Sequence, residues 1–125
     1  MNKLTKTVPI SDLSKEFIKS FNGLLGLTER EVELLSLIVD INLGIVKVRI
    51  TPEGIDTASF RKFYSKSTGI TLDNMSRYFA KFRRKGILVK AVDGSYSLNK
   101  ALIPIVIGGR TVQLTMILNI KKDEI

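Results

Sequence analysis

Two amphipathic segments joined by a connection too short to let them separate constrain this chain more than any other feature. The second is Ile70-Thr71-Leu72-Asp73-Asn74-Met75-Ser76-Arg77-Tyr78-Phe79-Ala80-Lys81-Phe82-Arg83-Arg84-Lys85-Gly86. Thr71 is a good N-cap, because its hydroxyl accepts a bond from a free amide of the first turn. Gly86 is a good stop, since glycine takes the left-handed conformation that ends many helices. Leu72, Met75, Phe79 and Phe82 fall at i, i+3, i+7 and i+10, one stripe of a helix over 71–85. The opposite side carries Asp73, Asn74, Arg77, Lys81 and Arg84, with Arg83 and Lys85 on the flanks. The first segment, capped by Asp56 or Thr57, runs to about Ser67. It turns Phe60, Phe63 and Tyr64 inward and Arg61, Lys62 and Lys66 outward. Only Ser67-Thr68-Gly69-Ile70 separates the two. Two short helices about a glycine-containing turn, the second more basic, form a helix-turn-helix pattern.

A hairpin follows at once. Ile87 to Val92 reads as a strand, Asp93-Gly94 as a two-residue turn and Ser95 to Leu98 as the return.

Upstream, Thr28-Glu29-Arg30-Glu31 fits a capping box. It opens a helix over 28–42 whose Val32, Leu34, Leu35, Leu37, Ile38, Val39 and Ile41 cover most of its circumference. Such a helix is either the hub of the domain or half of a dimer interface. Glu29, Glu31 and Glu33 suit its positive end and need no catalytic role. Val46, Val48 and Ile50 alternate with Lys47 and Arg49, which predicts a strand over 45–51. Residues 1–10 read as an extended arm. A helix from Ser11 or Asp12 to about Asn22 would bury Leu13, Phe17, Phe21 and Leu24, with Gly23 and Gly26 loosening its end. Beyond the first hairpin, 101–120 reads as another, turning at Gly108-Gly109. Its alternating apolar side would need the N-terminal arm or another subunit to cover it.

Charge separates these parts. Net charge is +8. Residues 1–56 carry a balance of −1 and residues 101–125 of +1, so residues 57–100 hold +8. A cationic excess gathered in one supersecondary unit is an electrostatic footprint, and nucleic acid is the commonest polyanion to match it. The chain has no cysteine and no histidine. That removes thiol nucleophiles, imidazole bases, disulfides and nearly all structural zinc sites. No tight Asp/Glu cluster suggests a magnesium site either. The expectation is a non-enzyme without metal, cofactor or small-molecule ligand. The 125 residues suffice for one domain with its own core. No long apolar run or secretion signal stands in the sequence, which reads as soluble and cytoplasmic.

The order helix 28–42, strand 45–51, helix 57–67, helix 71–85 and hairpin 87–99 resembles the winged helix-turn-helix family of DNA-binding domains. Phe82-Arg83-Arg84-Lys85-Gly86-Ile87-Leu88-Val89 is similar to the point where a recognition helix passes through glycine into the first wing strand. The resemblance implies an α+β fold with a winged-helix core at 28–99, an N-terminal arm and helix at 1–26, and an extra C-terminal hairpin at 101–120. It also implies double-stranded DNA as partner, with helix 71–85 in the major groove. Asn74 would then face adenine and Arg77 guanine. Thr71, Ser76, Arg61, Lys62, Lys66, Lys81, Arg83, Arg84 and Lys85 would hold phosphates, and Lys90 and Ser95 would lie along the neighbouring groove. Asp73 would repel phosphate unless it met a cytosine amine or a local partner. A two-residue wing turn is too short for deep minor-groove insertion. Members include bacterial and phage regulators and replication initiators, so transcription regulation or DNA replication is the expected setting. Some winged helices bind only proteins, which leaves an assembly subunit, for example of a phage particle, as the other reading. A homo-oligomer would form through helix 28–42 or the C-terminal hairpin.

Overall fold

The computed structural model describes residues 6–48, 54–107 and 111–112. Within them four α-helices and two small antiparallel strand pairs make an α+β fold. After a 3-10 turn at Ile10–Asp12 come α1 (Leu13–Leu25), α2 (Glu29–Asn42), α3 (Ala58–Thr68) and α4 (Leu72–Arg84). Strands β1 (Leu88–Lys90) and β2 (Tyr96–Leu98) pair, as do β3 (Val106–Ile107) and β4 (Thr111–Val112).

Local chemistry sets the helix starts. Thr28, Thr57 and Thr71 each accept the N–H three residues on, from Glu31, Phe60 and Asn74. At Thr28 the capping box is complete: Glu31 Oε1 accepts the Thr28 N–H at 2.8 Å. Buried apolar pairs flank two of these caps, Leu27 with Val32 and Ile70 with Met75. They occupy the two positions of a hydrophobic staple, which fixes the angle at which the chain enters each helix.

α2 is the hub. Val32, Leu34, Leu35, Ile38, Val39 and Ile41 are all buried within the one chain, and α2 packs on α1 and on α3. From α3 and α4 the core receives a run of aromatic rings. Phe60 stacks on Tyr64 and Tyr64 on Phe79, both at 5.8 Å between centroids, and Phe82 lies 6.1 Å beyond Phe79. Stacked pairs of this kind add about 0.5–1.5 kcal/mol each beyond the area they bury.

Several expectations are corrected. α1 does not stop at Asn22 but passes through Gly23 to Leu25. The Asn22 side chain brackets Leu27, accepting its N–H and donating to its C=O, and Gly26 ends the helix at φ 62°. The buried face of α1 is Ser14, Phe17 and Ile18, while Leu24 is 55% exposed. The helix is turned to bring the Ser14 hydroxyl onto the Asp40 carboxylate of α2. Residues 45–48 form no strand, because the Ile45 and Val46 N–H groups both turn back onto the Asp40 carbonyl. The rest of that expected strand lies outside the described residues. What joins β2 there is a single parallel bridge from Gly54, with the Ile55 N–H donating to Tyr96 O at 3.1 Å. The first hairpin has a three-residue loop, Val92 to Gly94, rather than a two-residue turn. Ala91 N–H donates to Ser95 O and Gly94 N–H to Ala91 O, with Gly94 at φ 91°. This is a type I turn closed by a left-handed residue. Of the C-terminal hairpin only Val106–Ile107 against Thr111–Val112 is described; the arm before residue 6 and most of the apolar returning strand lie outside the described residues.

Candidate nucleic-acid interface

α4 carries the candidate interface, and its two faces differ. Met75, Phe79 and Phe82 are fully buried. Leu72, expected to continue that stripe, is instead 48% exposed. Ile70, in the connection before the cap, is buried and serves the core at this end, so the first turn of α4 stands clear of it. The outward row is Asp73, Asn74, Ser76, Arg77 and Arg84, all exposed, with Lys85 after the helix end. Thr71 is exposed too; its oxygen is taken by the cap, but its hydroxyl proton stays available to a phosphate.

Three of the expected phosphate contacts belong to the fold instead. Lys81 donates to Glu31 Oε1 at 2.8 Å and lies 3.4 Å from the Gly26 carbonyl oxygen. Arg61 reaches Asp56 at 2.7 Å, and Arg83 pairs with the other oxygen of the same carboxylate. The Asp56 side chain is only 3% exposed. Asp56 occupies the position before the α3 cap, where the other helices carry Leu27 and Ile70, and Arg61 sits where they carry Val32 and Met75. An ionic pair therefore stands in for a staple. Arg83 also lies over the Tyr96 ring at 5.7 Å, so one carboxylate ties together the start of α3, the end of α4 and β2. Lys85 is exposed, and its ammonium would lie 3.6 Å from a β-carbon placed on Gly26. It sits at the C-terminal end of α1, where carbonyl groups favour a cation.

Burial works to raise the Glu31 pKa, but the bonds from Lys81 and Thr28 outweigh it and hold the carboxyl below its ordinary value. Burial and the nearby Asp56 charge push the Tyr64 phenol up, so it stays neutral. At the tip of the β1–β2 hairpin the Ser95 N–H and hydroxyl both donate to Asp93 Oδ1, at 3.0 and 2.7 Å. The hydroxyl expected to track a groove is spent on a neighbouring carboxylate, which those bonds keep ionised below the usual range. Val92 beside it is fully exposed. On the remaining elements Lys62, Lys66 and Lys90 are exposed.

The exposed polar groups left after the fold has taken its share are Asn74, Ser76, Arg77 and Arg84 on α4, Lys62 and Lys66 on α3, Lys85 after α4, and Lys90 on β1. Hydroxyl, carboxamide and guanidinium donors on an open helix face can bond to base edges or to phosphate oxygens. Among the described residues no group of three or more acidic side chains is placed to hold a metal ion, and no helix is long and apolar enough to cross a membrane. The sequence reading marks Asp56 only as a possible cap and Glu31 only as a capping and helix-dipole partner, and it assigns neither their ion pairs nor the Arg83 contact with Tyr96. Asp56 left a signal in its place before a cap with an arginine five residues on; Glu31 and Lys81 are fifty positions apart and left none.

Comparison with protein-family models, with curated proteins and with solved structures finds no match to this chain. The functional reading therefore rests on geometry and charge.

Proposed function

We propose that this protein binds double-stranded DNA as a small winged helix-turn-helix protein, a regulator of transcription or an accessory of replication, with α4 seated in the major groove. One observation carries it. The outward face of α4 is open and polar, in a segment with a balance of +8. Residues in the first half of the helix, Asn74 and Arg77, reach bases, and bidentate bonds to adenine and guanine are the pairings their geometry favours. Arg84, Lys85, Lys62, Lys66 and Lys90 hold phosphates, while Lys81, Arg61 and Arg83 hold the helix. The chain works in the cytoplasm, where its target would lie, and no catalytic step is assigned to it.

The test is a salt titration of binding to mixed-sequence duplex, followed by selection of a preferred site from a random pool. Log affinity is expected to fall linearly with log salt concentration. On the selected site Arg77→Ala is expected to weaken binding by about 1–3 kcal/mol, since a bidentate base contact is worth that much. No binding to any duplex at low salt overturns the proposal. It would favour the second reading, an assembly subunit that uses this fold to hold another protein. That reading draws on the wing tip, where a bare valine beside a carboxylate is chemistry better suited to a protein than to phosphate.

A further inference from the structure

We infer that Leu72 is a specificity residue, reading the 5-methyl group of a thymine in the major groove; this rests on the DNA-binding function proposed above. Leu72 is a large apolar side chain that the fold leaves half exposed. Its place in the core is filled by Ile70 and Met75, on either side of the Thr71 cap. Half-exposed leucines are common and need no explanation when they are scattered. This one stands within a defined set. Leu72 and Ser76 are one turn apart, as are Asp73 and Arg77, so the four make a continuous patch on the first turns of α4, with Asn74 beside it.

All the other members are polar and exposed. A lone leucine among them is too small an apolar area for a protein-docking patch. It suits a partner that offers polar groups at regular intervals and one methyl among them. The major-groove edge of an A·T pair is such a partner: it shows one acceptor and one donor on adenine, and one acceptor and the methyl on thymine. Charge complementarity points the same way, because the surrounding segment carries the whole cationic excess. Five residues of helix rise about 7.5 Å, or roughly two base pairs, so the thymine lies within about two base pairs of the base that Arg77 contacts.

The test replaces thymine by uracil, which removes the methyl and leaves every hydrogen-bonding group in place. The probe is the duplex selected by the wild-type protein from a random pool, resynthesised with uracil at each thymine in turn. At one position, within two base pairs of the site whose preference Arg77→Ala relaxes, wild-type affinity is expected to fall about fourfold, the effect of one buried methyl. Leu72→Ala is expected to bind the thymine and uracil duplexes equally, and Leu72→Met to keep the discrimination. Arg77→Ala should bind both more weakly and preserve their ratio. The inference is overturned if no uracil substitution affects the wild type, if Leu72→Ala keeps the wild-type ratio, or if selection returns no preferred sequence. Failure to bind any duplex overturns the DNA-binding proposal itself and is told apart from these outcomes by the salt titration.

Discussion

Glu31 shows how one side chain can serve two structural purposes at once. It closes the Thr28 capping box and receives Lys81 from α4, and the net result holds its carboxyl below the ordinary value of 4.5. A carboxyl depressed in the folded state contributes stability that is complete above its unfolded pKa and is lost as pH falls through the folded one. The gap in unfolding free energy between wild type and Glu31→Gln should thus be widest at neutral pH and narrow below about pH 4.5. Denaturant titrations across that range would measure it. Asp56 is the other such residue. Asp56→Ala leaves Arg61 and Arg83 facing each other without their shared carboxylate. Since both arginines are about one-third exposed, the expected loss is about 2 kcal/mol rather than the larger cost of a fully buried pair. Urea unfolding midpoints would report it.

Among the elements, α3, α4 and the β1–β2 hairpin share anchors: the stacked rings of Tyr64 and Phe79, and the Asp56–Arg83 contact beside Tyr96. Gly54 extends the hairpin by one bridge and does so under tight steric terms. Its φ is 88°, and a β-carbon there would lie 2.3 Å from Tyr96 O. Gly54→Ala should lower stability by about 2 kcal/mol or more, combining left-handed strain with displacement of the bridge. Thermal unfolding would show it, and exchange of the Ile55 amide, which donates to Tyr96 O, should quicken. Element boundaries are legible wherever one residue's chemistry sets them, as at the Thr28 and Thr71 caps and at Gly86, while at α3 the sequence leaves Asp56 and Thr57 both open and the structure caps with Thr57. The structure departs from the expected elements where a further hydrogen bond intervenes: the Asn22 side chain bracketing Leu27 beyond Gly23, the Asp40 carboxylate meeting Ser14 of α1, the Asp40 carbonyl gathering the turn after α2, and the Asp93 side chain taking the Ser95 N–H in the β1–β2 loop.

For the molecule as a whole, the fold consumes part of the charge that composition assigns to binding. Of the nine lysines and arginines expected at the interface, Lys81, Arg61 and Arg83 are paired internally. On the proposed DNA-binding function Arg77 meets a base, and five remain for phosphates: Lys62, Lys66, Arg84, Lys85 and Lys90. Eight phosphate contacts, the nine less Arg77, would give a log–log salt slope of about −7, and five give about −4 to −5. The slope measured on duplex DNA counts which cations the fold has kept. Lys62→Ala and Lys66→Ala should each make it about one unit shallower, and Lys81→Ala should leave it in place while lowering stability.

The four helices, the Thr28 and Thr71 caps, the existence of the first hairpin and the segregation of charge could be read from the sequence, because these depend on neighbours within a turn or two and on periodicity. Tertiary structure alone decided which charged groups face outward. Asp56 and Arg83 are 27 positions apart, Glu31 and Lys81 fifty, and whether they meet depends on how α2, α3 and α4 dock. Leu72 was misassigned for the same reason: a helical period says which residues share a face, and only the packed neighbour says how far along the helix that face is covered.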